Sequence, residues 1–198
     1  QYEMSRENIE LINMKCHDLK HQVRALGDGK TVSDKELKEI EKQISIYDSS
    51  VKTGNDALDV ILTEKSLLCN KNGIIINIMA DGKRLGFMTK EDIYTLFGNM
   101  LDNAIEAVKS VDEDKRTIML NIKAVGEMLV IRESNHFAEP IIFEHGLPVT
   151  KGDQRFHGYG VKSIKYVCDR YDGDLAVNTD KDLFTMNILF PQIAPPKS

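Results

Sequence analysis

Two histidines and a carboxylate lie within five residues near the start of the chain. Asp18 directly follows His17, and His21 lies four residues after His17. An imidazole beside a carboxylate is a competent nucleophile for phosphoryl transfer, because the carboxylate can take the ring proton as the nitrogen attacks. The i, i+4 histidine spacing also occurs in the H-E-x-x-H zinc motif, but Asp replaces Glu here and no third ligand is evident. A surface histidine on a charged helix is the third alternative.

A second group of polar side chains repeats along one helix. Asn99 and Asn103 are four residues apart and share a face, which Asp102 and Glu106 flank. The opposite stripe is apolar and is expected to dock on a sheet. Such oxygen ligands suit Mg²⁺, which shares its coordination shell with phosphates and water. An ordinary amphipathic helix with a solvated polar face has the same pattern.

Two glycines precede a later helix. Gly158 and Gly160 would let the backbone approach an anion, which the N–H groups at the helix start could bind. The polar stretch before them contains Lys151 and Arg155 and is either a lid that closes on phosphates or a surface loop. Earlier, at the end of a strand, a polar side chain of 133–135 could hydrogen-bond a base edge.

The first half of the chain has a heptad pattern that predicts a helical hairpin. A turn-rich break at 27–32 and a capping box formed by Ser33 and Glu36 separate two apolar seams. The second seam runs to Leu68 and is weakened at Gly54 and Lys65. Two helices alone expose too much apolar surface, so we expect a homodimer in which two hairpins form a four-helix bundle. The first seam consists of Ile9, Ile12, Cys16, Leu19, Val23 and Leu26.

The second half alternates short strands with helices, which predicts an α+β sandwich with one mixed sheet covered by helices. Thr89 with Asp92 caps the first of these helices, and residues 135–157 are expected to be irregular. The boundary between the halves is placed at residue 70, which gives domains 1–70 and 71–198. The predicted strands are Ile74–Met79, Leu85–Met88, Thr117–Val125, Met128–Glu133, Leu175–Thr179 and Phe184–Phe190, and the last helix is Gly160–Tyr171.

Composition excludes several classes of protein. The chain has 198 residues and a net charge of −5 without a Lys/Arg run, which argues against a nucleic-acid binder. No apolar run is long enough to span a membrane. Three scattered cysteines without a C-x-x-C pair suit a reducing cytosol. The chain begins with Gln, so we expect it to be a piece of a longer protein.

The order of these motifs resembles that of sensor histidine kinases, and more closely the peptide-quorum-sensing type, similar to the accessory gene regulator sensor kinases. The resemblance covers nearly the whole chain. It rests on His17–His21, on Thr53–Leu62 with Lys65, on Phe97–Ala107 and on His157–Ile164.

This resemblance implies two domains. Residues 1–70 would be the dimerisation and histidine-phosphotransfer hairpin, with His17 as phosphoacceptor and Asp18 as general base. Residues 71–198 would be an ATP-binding domain of the GHKL class (gyrase, Hsp90, histidine kinase, MutL), a Bergerat-type α/β sandwich.

The resemblance also implies ATP and Mg²⁺ as ligands. Asn103 matches the magnesium-ligating Asn, and Asn99 matches its partner one turn earlier. The D-x-G-x-G adenine box is missing, and Asn135 takes the place of its Asp, with an expected loss of nucleotide affinity. The remaining ATP-binding residues implied are Lys151 and Arg155 in a lid, and Gly158, Gly160 and Lys162 in the glycine box.

The implied partners are a second copy of the chain, the receiver domain of a response regulator and an upstream membrane sensor region. The chain would then be the cytoplasmic region of a bacterial membrane protein. His21 stands where many relatives have an Asn or Thr linked to phosphatase activity, which leaves that activity open. Two other classes are compatible with the sequence: a GHKL ATPase without kinase activity, and an interaction module with a degenerate nucleotide site.

Overall fold

The structure is a computed structural model that describes residues 3, 5–7, 9, 51–144, 146–149 and 159–191. Residues 10–50, which make up most of the hairpin predicted over 1–70, lie outside this part of the chain. The helices are α1 (Asp56–Lys71), α2 (Lys90–Lys109) and α3 (Tyr159–Arg170). The strands are β1 (Ile75–Ala80), β2 (Thr117–Val125), β3 (Met128–His136), β4 (Ile142–Glu144), β5 (Leu147–Val149), β6 (Asp174–Asp180) and β7 (Leu183–Pro191).

Five of the strands form one mixed sheet in the order β1-β2-β3-β7-β6. β1 pairs with β2 in parallel, and the other pairs are antiparallel. Side chains along β2 and β3 alternate between buried and more exposed positions, so one face of the sheet carries the core. The predicted mixed sheet covered by helices is confirmed. β4 and β5 form a separate hairpin within the stretch that the sequence predicts to be irregular.

The central helix of the covering layer is α2. It packs against α1 on one side and α3 on the other, and it lies across β2 and β3. Its start is capped as predicted, because the Thr89 hydroxyl accepts a hydrogen bond from the Asp92 backbone N–H at 3.2 Å. The whole predicted apolar stripe is buried: Ile93, Leu96, Phe97, Met100, Leu101, Ala104, Ile105 and Val108.

Helix α1 belongs to the same core. The Asn55 side chain caps it, because its Oδ1 atom accepts hydrogen bonds from the Ala57 and Leu58 backbone N–H groups at 3.1 Å. Residues 51–55 before it are not helical. The sequence predicts one apolar seam that continues through Gly54 to Leu68. In the structure a new helix begins at Asp56. Leu58 and Ile61 are fully buried, while Leu68 is 37% exposed. The domain boundary at residue 70 stays a prediction, because residues 10–50 are not described.

The predicted strand Leu85–Met88 is wrong. Gly82–Leu85 is a short 3₁₀ turn, and the side chain of Leu85 is buried in the core. The prediction assumed a hairpin with the preceding strand, but β1 finds its partner in β2 instead. The turn is held close to the segment before α1, because the Gly82 N–H donates to the Thr53 carbonyl at 3.0 Å. A Cβ on Gly82 would lie 2.2 Å from the Thr53 Oγ1 atom.

Within the described part of the chain, no helix is long and apolar enough to cross a membrane.

The placement of α1 in the core is testable by Leu58→Ala. We expect the free energy of unfolding to fall by about 2–5 kcal/mol, since the substitution removes buried methyl groups and leaves a cavity. The matched control is Leu68→Ala in the same helix, for which we expect a change of about 0.5 kcal/mol. Urea unfolding of the full chain measures both, and equal losses would contradict this packing.

Candidate functional site

Two asparagines stand on the exposed side of α2. Asn103 is exposed and Asn99 is half-buried, one helical turn earlier, on the side opposite the core stripe. The Asn99 Nδ2 atom donates a hydrogen bond to the Thr95 carbonyl at 2.7 Å, which fixes the orientation of its amide. The predicted polar face of this helix is therefore present, with Asp102 and Glu106 exposed beside it.

The start of α3 lies directly against this pair. A Cβ added to Gly160 would come 3.2 Å from the Asn103 Oδ1 atom and 3.5 Å from the Asn99 Oδ1 atom. Glycine thus leaves a narrow space between the first turn of α3 and both amides. Backbone N–H groups at a helix start attract anions, so amide oxygens and anion-binding N–H groups meet at one place. The sequence treats them as two separate motifs.

The amide oxygen of Asn103 suits a Mg²⁺ ion that is also coordinated by the phosphate oxygens of a ligand. Among the described residues, no group of three His, Cys, Asp or Glu side chains forms a metal cage. Asn103 offers an exposed amide oxygen at the narrow space beside Gly160. Mg²⁺ commonly takes one or two protein oxygens and completes its shell with water and phosphate oxygens.

A buried lysine fixes the helical turn that carries Asn103. The Lys65 Nζ atom on α1 donates to the Asp102 carboxylate at 2.7 Å and lies 3.4 Å from the Glu64 carboxylate. The Lys65 side chain is only 9% exposed, so its ammonium group depends on these acceptors. In the sequence Lys65 only weakens the apolar seam; the structure makes it a link between α1 and α2.

A second polar link joins the start of the chain to the same helices. The Tyr94 hydroxyl on α2 donates to the Glu64 carboxylate at 2.6 Å and lies 2.7 Å from the Ser5 hydroxyl. Burial alone would raise the pKa of Glu64, but the hydrogen bonds from Tyr94 and Ser5 outweigh it and hold this pKa below its ordinary value. Burial and the Glu64 contact raise the pKa of Tyr94 to about 12. Sequence reasoning missed this network, which no local pattern signals.

Two polar side chains at the end of β3 are buried on the helix-covered face. Glu133 is 1% exposed and Asn135 is 2% exposed. The Asn135 Nδ2 atom donates to the His136 carbonyl at 2.7 Å. The Glu133 Oε1 atom has no hydrogen-bond partner among the described residues, and burial raises the pKa of this carboxyl to about 8. Strand alternation points both residues inward, so it could have drawn attention to Glu133 as well as to Asn135.

Of the other predicted site residues, one is described by the structure and five are not. Lys162 is exposed in the first turns of α3, two residues after Gly160. Five lie outside the described residues: His17, Asp18, Lys151, Arg155 and Gly158.

A cleft of about 620 Å³ lies elsewhere, between α1 and the open edge of β1. Its described lining mixes apolar and polar residues, with Ile76 and Ile78 on the strand side and Ser66 and Asn70 on the helix side. Among the described residues that line it, Lys52 is the one with an ionisable side chain. The described lining of this cleft does not combine amide oxygens with the start of a helix, as the Asn99–Asn103 face does. We therefore take the Asn99–Asn103 face as the functional site.

Comparison with known proteins gives a family match over half the chain. A model described as the GHKL domain matches residues 88–191. A curated protein of Bacillus subtilis (strain 168), the "Probable C4-dicarboxylate sensor kinase", is 26% identical over 149 residues. That alignment covers 69% of this chain and 27% of the relative, so the chain spans about a quarter of that protein's length.

Solved structures show the same fold. The catalytic domain of histidine kinase ThkA, in a nucleotide-free crystal form, superposes with a TM-score of 0.53 at 16% identity, covering 69% of this chain and 92% of that one. Another nucleotide-free form of the same domain gives 0.50 at 14% identity with the same coverage. At such identities the likeness supports the fold alone.

The buried carboxyl group of Glu133, whose Oε1 atom has no partner among the described residues, predicts that stability depends on pH. With its pKa raised from 4.5 to about 8, the folded state keeps a proton that the unfolded chain has released. The free energy of unfolding should therefore fall as pH rises through this window, by up to about 1.4 kcal/mol per unit. Glu133→Gln removes this loss, so the variant should become progressively more stable than the parent from pH 5 to 8.

Urea unfolding at several pH values measures the difference. Glu127→Gln, at an exposed position of the β2–β3 hairpin, is the matched control. A stability difference for Glu133→Gln that does not change with pH would contradict the raised pKa of this buried carboxyl group.

Proposed function

Because this chain belongs to the GHKL domain family, we propose that it is the catalytic part of a two-component sensor histidine kinase. It binds ATP with Mg²⁺, transfers the γ-phosphoryl group to His17 and passes it to an Asp of a response-regulator receiver domain. The observation that carries this proposal is the close approach of Gly160 to Asn99 and Asn103, which brings amide oxygens next to the start of a helix.

The nucleotide site consists of residues from three regions. Asn103, with Asn99 beside it, holds Mg²⁺, which when bound neutralises phosphate charge and orients the triphosphate. The backbone at Gly160 lies close enough to the two asparagines to share the same phosphates. Asn135 contributes at the base end from β3. The remaining phosphate-side residues are Lys151, Arg155, Gly158 and Lys162.

The two residues that react with the γ-phosphoryl group, His17 and Asp18, belong to the predicted hairpin over 1–70. A ring nitrogen of His17 attacks the γ-phosphorus in line, the bond from that phosphorus to the ADP oxygen breaks, and Asp18 accepts the ring proton. Most of the rate enhancement comes from positioning and charge stabilisation, as in other phosphoryl transfers. The Lys65–Asp102 and Tyr94–Glu64 contacts support this by holding α1 and α2 together under the site.

The assembly that this function requires is a homodimer through the predicted hairpin over 1–70. The motif order His17–His21 and His157–Ile164 supports the peptide-quorum-sensing type, with an upstream membrane sensor region and a cytoplasmic catalytic part. The matched relative is named for a C4-dicarboxylate. A small dicarboxylate is therefore the competing signal class, and adding each ligand to the full-length kinase distinguishes the two.

Autophosphorylation tests the main proposal. We expect label from γ-labelled ATP with Mg²⁺ to appear on the purified chain, to be acid-labile and alkali-stable, and to vanish in His17→Gln. The matched control is His21→Gln, which should keep the label. Nucleotide hydrolysis without label on the chain would instead identify a GHKL ATPase, and an absence of nucleotide binding would leave an interaction module.

Asn103→Ala tests the magnesium ligand. We expect nucleotide affinity in Mg²⁺ to fall by about 10-fold or more, since a charge-assisted oxygen contact worth roughly 1.5–3 kcal/mol is lost. The affinity measured in EDTA should change little. The control is Asn187→Ala on the uncovered face of the sheet, where the neighbours in sequence, Met186 and Ile188, point into the core. Equal effects with Mg²⁺ and with EDTA would refute the assignment.

A further inference from the structure

We propose that the open edge of β1 is a docking site for a partner protein, which adds an extended segment to the sheet as a further strand. The segment carries apolar side chains at alternate positions, directed into the cleft between α1 and β1, and an acidic side chain near Lys52. This site is separate from the Asn99–Asn103 face, and the inference does not depend on the proposed function.

The open edge of β1 has backbone groups that await a partner. Among the described strands, β1 pairs with β2 alone and lies at one end of the sheet. The backbone N–H groups of Ile75 and Asp81 donate to carbonyl groups on the β2 side. Successive N–H groups of a strand point to opposite sides, so those of Ile76 and Ile78 point away from β2. Within the described part of the chain, no backbone carbonyl accepts from these two N–H groups.

The two edges of the sheet differ in how they are protected. The strand at the other edge, β6, begins with Asp174 and ends with Asp180, and both are exposed. Charged side chains on an edge strand oppose pairing with another chain. β1 contains neither a charged residue nor a proline, and its Ile75 and Met79 are 61% and 59% exposed. An apolar edge without these protective features indicates a surface that a partner covers.

The cleft beside this edge has room for one bare strand. Its volume of about 620 Å³ lies within the range of about 300–1,000 Å³ that is usual for ligand sites. Ile76 and Ile78 line it from β1, and Leu67 and Asn70 line it from α1. Because α1 already stands over this side of the edge, an added strand must come without a helix of its own there. This condition favours an extended segment over the β1 strand of a second copy, which would bring its own α1.

Lys52 gives the cleft a charge preference. It is the ionisable residue of the described lining, and it forms no ion pair with another described residue. The carbonyl of the adjacent Thr53 accepts a hydrogen bond from the Gly82 N–H at 3.0 Å, so this segment lies at the C-terminal end of β1. Antiparallel strands pair more stably than parallel ones. The N-terminal end of an added antiparallel strand would therefore lie near Lys52, where an acidic side chain can pair with the ammonium group.

The test uses a peptide of defined sequence as the probe. An acetylated aspartate comes first, four alternating valine–threonine pairs follow, and a C-terminal linker carries fluorescein. Fluorescence anisotropy measures its binding to the full chain. The control peptide has the same residues with the aspartate moved to the C-terminal end. We expect the first peptide to bind about 2- to 5-fold more tightly, as for an exposed ion pair, and Lys52→Glu to remove this preference.

Methylation of the probe backbone tests for strand addition. In an antiparallel ladder, opposite residues that exchange both hydrogen bonds have their side chains on the same face of the sheet. The valines lie opposite Ile76 and Ile78 when their side chains enter the cleft, so their N–H groups face β1. N-methylation of two central valines should weaken binding about 10-fold or more, because two hydrogen bonds are lost. The matched control is N-methylation of two central threonines, which should change binding little.

Amide hydrogen exchange of the parent chain locates the contact. The amides of Asn77 and Met79 should be protected in the free chain by their bonds to β2, whereas those of Ile76 and Ile78 should exchange rapidly. The probe at about ten times its dissociation constant should slow the exchange of Ile76 and Ile78 by roughly 10-fold. The amides along β6 serve as the control and should not change.

The outcomes separate the occupants of this edge. Absence of probe binding, or equal weakening by both methylated probes, overturns strand addition by a partner. Ile76 and Ile78 amides that are already protected in the free chain also overturn it. Such protection would identify a second copy of the chain if it grows with protein concentration, and another segment of the same chain if it does not. A preference for the N-terminal aspartate that survives in Lys52→Glu overturns the role of Lys52.

Discussion

The two-sided character of α2 is the constraint on which the rest of the described structure depends. Its apolar stripe must leave water, and it does so against β2 and β3 with α1 and α3 on either side. Fully burying each large apolar side chain contributes about 1.5–3 kcal/mol. Once that stripe is fixed, the rotation of the helix is fixed too, and Asn99 and Asn103 can only face the start of α3.

Specific polar contacts then hold the turns around the site. The Lys65 side chain is nearly buried, so its ammonium group depends on its bond to Asp102 for the contact that water would otherwise supply. Tyr94 connects the same two helices through Glu64. Both contacts join α1 to α2, so the first described helix is part of the support for the site rather than only a connection leading into the sheet.

Glu133 departs from the usual rule for buried polar groups in the described core. Buried polar groups are normally hydrogen-bonded, and leaving one carboxyl oxygen without a partner costs stability. Local conflicts of this kind are expected at functional positions, where a ligand completes the missing contacts. The same side chain lowers the stability of the protein as pH rises from about 5 to about 8.

Periodicity and capping in the sequence determined the local elements. The stripe and Thr89 cap of α2, the β2–β3 hairpin around Gly126, and the face shared by Asn99 and Asn103 all follow from interactions within a few residues. Only the tertiary structure decided that β1 pairs with β2, that α1 joins the core, and that Lys65 bonds to Asp102 and Gly160 lies on Asn103. Those contacts join segments far apart in the chain, and no local pattern encodes them because they arise only when the apolar faces are buried together.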